Sequence, residues 1–338
     1  MRYKQVRPKP IGRQNGRKRM VSSKYILRDT GDPRTPSSTR QADHSLPSRH
    51  DPGRFGGYHL SPRAPLRRCK CKYLRASVMQ PSAPTSEEQR TALQAAGAAA
   101  RILLGALPKS DADLQIKEKE DGSLVSQADL ASQQIIQEIL APLGLPILSE
   151  EAAAPDHASR KDWERFWLVD PLDGTESFLH NRSGFAVNIA LCDGTGPIFG
   201  VVADPLANRM YLGGIGMPVQ MAPLDGAMVR QIHPAPTQRP HRLVTSWMED
   251  AKLPDLVPPH IDPRDVLARP VSGALKFCLI ATGDAEIHAR TGSYMEWDCA
   301  AGDAILRGVG IDVLDLNGKR LVYNSPSLRV HGLRCSRV

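Results

Sequence analysis

Regular patterning of polar and apolar positions begins at Ser86. From there to about residue 106 the apolar side chains keep a helical spacing, and Ser86 with Gln89 three residues on reads as a capping box. The run Ala92–Leu107 is alanine-rich but is broken by Gln94 and Arg101. It falls short of the ~18 uninterrupted apolar residues of a membrane span, as does every other run in the chain. A charged turn, KEKEDGSL, follows. A second helix is predicted from about Gln127 to Leu140, with Leu130, Ile135, Ile136, Ile139 and Leu140 on one face and Pro142 and Gly144 at its end.

The period then changes from helix to strand. LPILSEE is a short apolar strand that carries Glu150 and Glu151 to its end. After a polar loop over 152–162, FWLVD, FAVNIALCD, IFGVVADP and RMYLGG are strand-like, with DGTGP as a turn among them. Their lengths and spacing predict an antiparallel sheet. Residues 217–262 are proline-rich and weakly patterned, and LKFCLIATGDAEIHAR fits both helix and strand. WDCAAGDAILRGVG starts a helix that ends at Gly308 and Gly310, and IDVLDLNGKRLVY predicts a hairpin about Asn317-Gly318. Helices mixed with a largely antiparallel sheet give an α+β fold. Strict strand–helix alternation is missing, which disfavours a doubly wound nucleotide fold. Neither GxGxxG nor GxxxxGK[ST] occurs.

Charge divides the chain. Residues 1–78 hold 20 of the 44 Lys+Arg and 4 of the 36 acids, a net +16, so the remainder carries −8. The basic segment is rich in Arg, Pro, Ser and Gly, lacks apolar periodicity and is expected to be disordered. A nucleic-acid-binding tail, an organellar transit peptide, a functionless extension and an overextended start, with Met79 as first residue, all fit that composition. The last is favoured, because patterned sequence begins just after Met79. The expected division is therefore 1–80 as extension and 81–338 as one domain. No apolar stretch lies near the N-terminus, which speaks against a secretory signal. The six cysteines, Cys69, Cys71, Cys192, Cys278, Cys299 and Cys335, form no CxxC pair, no zinc pattern and no disulfide framework, which suits a reducing, cytoplasmic setting.

The chemistry centres on WLVDPLDGTESF, residues 167–178. Asp170 follows an apolar strand, and Pro171 holds it extended. Asp173-Gly174-Thr175 turns into a helix start, whose backbone N–H groups suit an anion. Carboxylates beside an anion need a cation between them, and oxygen-only sites of this kind suit Mg²⁺. Turn and cap chemistry alone would also account for these aspartates. Further acids stand nearby in pattern. Glu150 and Glu151 precede the loop to this strand, and Asp129 and Asp298 lie at helix starts. Capping is the plain alternative for Asp129, after Ser126, and for Asp298.

WLVDPLDGTESF and EWDCAAGDAIL together resemble the two signature motifs of the inositol monophosphatase superfamily, metal-dependent and lithium-sensitive phosphatases of sugar and nucleotide phosphates. LSEE, FAVNIAL, SGALKFCLIATGDAEIHAR and WDCAAG are similar to the CysQ-type 3′(2′),5′-bisphosphate nucleotidases. The likeness covers about Ser86 to Leu328. It implies a layered α/β/α/β/α sandwich whose N-terminal half, about 81–217, holds most metal ligands while 218–338 contributes Asp298. It implies two or three Mg²⁺ ions. Glu150, Asp170 and the Leu172 carbonyl would hold one, and Asp170, Asp173 and Asp298 a second. Leu172, Asp173, Gly174 and Thr175 would line the phosphate. Thr175 and Asp129 would orient and deprotonate the attacking water, with Glu150 assisting.

The implied reaction is removal of the 3′-phosphate of adenosine 3′,5′-bisphosphate, giving AMP and phosphate, in sulfur metabolism. The alternatives are an inositol-1-phosphate or sugar-phosphate phosphatase on the same site, and a nucleic-acid-binding role for the basic segment. One position departs from the narrower pattern: Glu176 stands where CysQ-type proteins usually carry Lys or Arg. Lys276 is then a candidate cation for the second phosphate, with a solvated surface lysine as the plain alternative. His180 and His288 are expected on the surface or in loops, Cys278 and Cys299 as small buried residues, and Trp167 and Trp297 in the core. A small-molecule phosphate is the expected partner, with no specific nucleic acid. The expected location is cytoplasmic, free or peripheral at the inner membrane face, where some members of that superfamily sit. Oligomeric state is not readable from the chain.

Overall fold

The computed structural model describes residues 4–5, 82–119, 122–246 and 253–338, all of which belong to one compact unit. Apart from Lys4–Gln5, the basic extension lies outside the described residues.

Helix α1 (Ser86–Ala106) begins one residue earlier than the Ser86 cap predicts. Thr85 is the N-cap: its hydroxyl accepts from the Glu88 N–H, and Glu88 accepts from the Thr85 N–H. Thr85/Glu88 and Ser86/Gln89 both satisfy the capping-box spacing. The pair with the carboxylate wins because Arg165 also grips Glu88, at 2.7 Å. The fully buried Ala92, Ala95, Ala96, Ala99 and Ala100 let α1 pack against α2 (Gln127–Leu140) and against a sheet. Gly144, at φ +68, closes the turn after α2 as predicted.

The main sheet has seven strands in simple sequential order: β1 (Ile147–Ser149), β2 (Arg165–Asp173), β3 (Ala186–Asp193), β4 (Gly196–Asp204), β5 (Arg209–Gly214), β6 (Met217–Ala222) and β7 (Arg230–Gln231). Neighbours are antiparallel except β1 and β2, which run parallel. The sheet is thus largely antiparallel, as predicted, with the parallel pairing confined to the β1 edge. The crossover through residues 150–164 returns the chain to the same end of the sheet. Helices α1 and α2 cover one face with an apolar core that includes Trp167, Val169 and Ile189.

Helices α4 (Leu275–Thr282) and α5 (Glu296–Arg307) cover the other face; α3 is the short helix Thr175–Asn181 at the end of β2. A second sheet, in the order β9 (Val266–Pro270), β8 (His241–Thr245), β10 (Ile287–Met295), β11 (Arg329–Ser336), lies beyond α4 and α5. Its far side packs on the one-turn helix Leu253–Leu256. The layers are therefore helix, sheet, helix, sheet, helix. LKFCLIATGDAEIHAR resolves into α4 followed by β10. The predicted hairpin at Asn317-Gly318 is a turn with Gly318 at φ +81, closed by Asp315 N–H to Lys319 O at 2.7 Å. It makes single bridges in place of paired strands, because Leu314 pairs with both Arg320 and Arg334.

The approach of α5 to the sheet needs glycine. A Cβ on Gly200 would stand 2.2 Å from the Ala301 carbonyl oxygen. Gly200→Ala is expected to destabilise the fold by about 2–3 kcal/mol through overpacking against backbone. Gly105→Ala, in α1 with nothing within 4 Å of the new Cβ, is expected to be neutral or stabilising by up to about 1 kcal/mol. Thermal denaturation of the two variants checks the contrast.

Candidate active site

The acids of the site come from the ends of different elements. Glu150 follows β1, and its N–H donates to the Val169 carbonyl at 3.2 Å. Asp170 and Asp173 lie on β2, three residues apart, where regular alternation would send them to opposite faces. The pairing with β3 slips by one residue between them: Asp170 faces Asn188 and Asp173 faces Ala186. This bulge spans Pro171, which has no N–H to lose, and it turns both carboxylates into the same cleft. Asp129 is in the first turn of α2 and Asp298 in the first turn of α5.

Carboxyl oxygens of Glu150, Asp170 and Asp298 all lie within 4.8 Å of one another. That grouping cuts across the two expected ligand sets, with Asp170 common to both. Asp173 stands beside it, but its Oδ2 accepts from Asn188 Nδ2 at 3.1 Å and from the Ala274 N–H. Each aspartate of the site gives one oxygen to backbone. Asp170 Oδ1 accepts from Leu172 N at 3.0 Å, and Asp298 Oδ2 from Met295 N at 2.8 Å. Asp129 Oδ2 accepts from Ser126 N at 2.8 Å and from the Ser126 hydroxyl at 2.6 Å. Asp129 thus caps α2 through one oxygen and turns the other toward Thr175. The Thr175 hydroxyl lies 3.1 Å from Asp129 Oδ1 and 3.1 Å from the Leu172 carbonyl. Asp298 is not the cap itself; Met295 is the N-cap and Asp298 the third helical residue.

Burial pushes the Asp170 carboxyl well above the usual range, and Glu150, Asp173 and Asp298 push it further. Asp298 is pushed up to about 8 by burial and by the Asp173 and Glu150 charges. Asp173 is also raised by burial, against the Lys276 charge. Asp129 is raised by burial, against its hydrogen bonds to Ser126 and Thr175. A close set of oxygen donors that are poor anions unaided fits a hard divalent cation such as Mg²⁺.

The cleft has a volume of about 500 Å³. Lys276 lines it and is only 1% exposed, which corrects the surface-lysine alternative. Its Nζ donates to the Gly273 and Val271 carbonyls at 2.6 and 3.1 Å, and burial lowers its pKa to about 8 against the pull of Asp173. Gly273, at φ +62, has Asp173 Oδ2 where a Cβ would fall, at 2.7 Å, so no side chain fits there. Glu176 is exposed at the rim.

Sequence reasoning missed Lys119, Asn188, Arg290 and Tyr294. Arg290 lines the cleft with its guanidinium 4.3 Å from the Tyr294 ring centre, and its Nε is buried without a hydrogen-bond partner among the described residues. A second slip in strand pairing, between Arg290 and Ser293, sits at this point of β10. Nothing local in ARTGSYM marks it. His288 is also corrected. It is fully buried on β10 with Nδ1 2.9 Å from the Val244 carbonyl, and burial holds its pKa well below the usual value. It lies outside the cleft lining, whereas His180 is exposed as expected. Cys278 and Cys299 are buried, with thiols raised well above the usual pKa by burial. Trp167 and Trp297 pack into the two cores on opposite faces of the main sheet. No helix among the described residues is long and apolar enough to cross a membrane.

This architecture recurs in known proteins. The chain is 37% identical over 213 residues to the 3′(2′),5′-bisphosphate nucleotidase CysQ of Shigella flexneri, covering 62% of this chain and 83% of that protein. It is 35% identical over 212 residues to the protein of the same name from Escherichia coli strain K12, with the same 62% and 83% coverage. The crystal structure of CysQ from Bacteroides thetaiotaomicron, a bacterial member of the inositol monophosphatase family, matches with a TM-score of 0.62 and 28% identity. That match covers 73% of this chain and 96% of that one, so the layered sandwich is shared. The profile of the inositol monophosphatase family itself matches residues 85–334, and the chain belongs to that family.

Proposed function

We propose that this protein is a Mg²⁺-dependent phosphatase that removes the 3′-phosphate of adenosine 3′,5′-bisphosphate, giving AMP and phosphate. The observation that carries the reading is the convergence of Glu150, Asp170 and Asp298 within 4.8 Å, beside the Asp173-Gly174-Thr175 turn. The kinship to 3′(2′),5′-bisphosphate nucleotidases supports the substrate class.

Glu150, Asp170, Asp173, Asp298 and the Leu172 carbonyl would hold the metal. When bound, Mg²⁺ supplies positive charge to the phosphate oxygens and acidifies water beside them. Asp129 and Thr175 act as the base. Thr175 Oγ1 is within hydrogen-bond reach of Asp129 Oδ1, and burial raises the basicity of that carboxylate. Gly174 and Thr175 orient the phosphate through their N–H groups. Lys276 and Arg290, the two cations lining the cleft among the described residues, stand ready for a second phosphate on the same substrate. This favours a bisphosphate. Glu176 at the rim favours the second reading, an inositol- or sugar-phosphate phosphatase, since an exposed carboxylate there repels a further anion.

Side-by-side kcat/KM for adenosine 3′,5′-bisphosphate and inositol 1-phosphate separates the two. The bisphosphate is expected to be the better substrate, and preference for inositol 1-phosphate would overturn the first reading. Asp170→Asn is expected to lower kcat/KM by on the order of a hundredfold or more, by removing the ligand common to both expected metal groups. Full activity in this variant would sink the metal assignment. Thr175→Val is expected to lower kcat by about a hundredfold with KM little changed, as loss of general-base relay.

The raised aspartates also set a pH dependence. An acid whose folded pKa exceeds its unfolded value favours the folded state less as pH rises from the unfolded pKa through the folded one. In chelator, Tm should therefore fall as pH rises from about 5 to 8, the window between the ordinary carboxylate range and the value near 8 reached by Asp298. Saturating Mg²⁺ binds the ionised form, so the Tm gain it gives should be larger at pH 8 than at pH 5.5. A gain that shrinks with rising pH would contradict the site.

A further inference from the structure

The acidic cleft has a cation beside it that belongs to the chain. Lys119 follows strand residues Lys117–Glu118, which pair with Leu124–Val125. Its own N–H donates to the Ser123 carbonyl at 2.8 Å, which extends the pairing of the two strands to Lys119 itself. Its Nζ lies 3.0 Å from Glu150 Oε1 and 2.7 Å from Glu151 Oε1, with 8% of the side chain exposed. Glu151 is more buried still, at 2%, and its Oε2 finds no hydrogen-bond partner among the described residues. Two carboxylates at the end of one sheet thus share one buried ammonium. An exposed ion pair would be loosely held; here the ammonium and the Glu151 carboxylate are desolvated, while Glu150, 23% exposed, stays open toward the cleft.

Glu150 belongs to two groups at once. It converges with Asp170 and Asp298 within 4.8 Å, and it is gripped by Lys119. A carboxylate oxygen committed to an ammonium has fewer lone pairs for a metal, and an ammonium next to a metal ion repels it. Both effects grow as the local dielectric falls. The simpler account, a stitch that holds the hairpin against the sheet, predicts the opposite consequence. A stitch organises Glu150, so breaking it should weaken metal binding.

We propose that Lys119 is a tethered counter-ion that competes with divalent metal at Glu150, so that metal binding displaces its ammonium and this one lysine sets the metal affinity of the site. The proposal rests on the metal reading given above. Without metal, the lysine offsets the charge of Glu150 and Glu151. With metal, the ammonium is released from Glu150 and the hairpin that carries it is less tightly held.

The test is calorimetric titration of the full chain with Mn²⁺ after stripping with chelator. The wild type should bind, and Asp170→Asn should lose binding. Lys119→Gln should bind about tenfold more tightly than the wild type, while Lys119→Arg, which keeps the charge, should stay within about twofold. The Tm of Lys119→Gln in chelator should lie below that of the wild type, and saturating Mn²⁺ should close the gap. Unchanged or weaker binding by Lys119→Gln, with wild-type binding intact, overturns this proposal alone. Absence of binding by the wild type removes the metal reading and the proposal together. Should Lys119→Gln fail to fold, the wild type itself supplies the test. Acylation of Lys119 by acetic anhydride, read by mass spectrometry, should be faster with saturating Mn²⁺ than in chelator. Equal or slower acylation overturns the proposal.

Discussion

Carboxylates repel one another, and burial makes each a worse anion. Here Asp129, Glu150, Asp170, Asp173 and Asp298 are nonetheless gathered at one end of one sheet, with Asp129, Asp170 and Asp173 buried and Glu150 and Asp298 half-buried. The arrangement persists because each aspartate ties an oxygen to a backbone N–H or to a neutral donor. Asp129 and Asp298 do so as first-turn acids of helices, where the aligned N–H groups and the dipole favour negative charge. Asp170 bonds the N–H two residues on, and Asp173 bonds Asn188 and Ala274. The second oxygen of each is left for something else. Burial, joined by mutual repulsion at Asp170 and Asp298, appears as aspartates that hold protons too well, and a divalent cation would relieve it.

The rest of the backbone supports that gathering. The bulge at Pro171 brings the two β2 aspartates to one side, and Gly174 at φ +88 turns the strand directly into α3. Ser132 donates to the Pro171 carbonyl at 2.7 Å, and Ser149 to Gln133 Oε1 at 2.5 Å. These two bonds lock α2, and with it Asp129, against the ends of β1 and β2. On the other side, Glu296 is fully buried and accepts from Asn324 N and Ser325 N at 2.6 and 2.9 Å. It anchors the first turn of α5 two residues before Asp298. Rigid elements, each fixed by a second set of polar contacts, hold the reactive groups.

Charge around the cleft is laid out unevenly. Lys276 and Arg290 come from the α4 and β10 side and face the Asp173 and Asp298 carboxylates. Lys119 comes from the hairpin on the Glu150 side. Glu176 stands at the rim on the first turn of α3. The cleft therefore combines two cations with an acidic cluster, and an exposed carboxylate stands at its rim.

Local physics alone specified much of this protein. The periodicities delimited α1 and α2, and the apolar runs marked β1 to β5. WLVDPLDGTESF and WDCAAG were legible as carboxylates at a strand end and a helix start, because turn, cap and strand preferences act within a few residues. Even there the cap of α1 slipped by one, since two overlapping pairs fit and a distant arginine chose between them. Tertiary structure decided the rest. It set β1 parallel to β2, buried Lys276 and His288, aimed Arg290 into the cleft and closed Lys119 onto Glu150. Each of these depends on contacts between segments far apart in the chain, such as Lys119 with Glu150 or His288 with Val244. The residue types at those positions are compatible with surface or core, and only the packed neighbours, through desolvation and charge, select one.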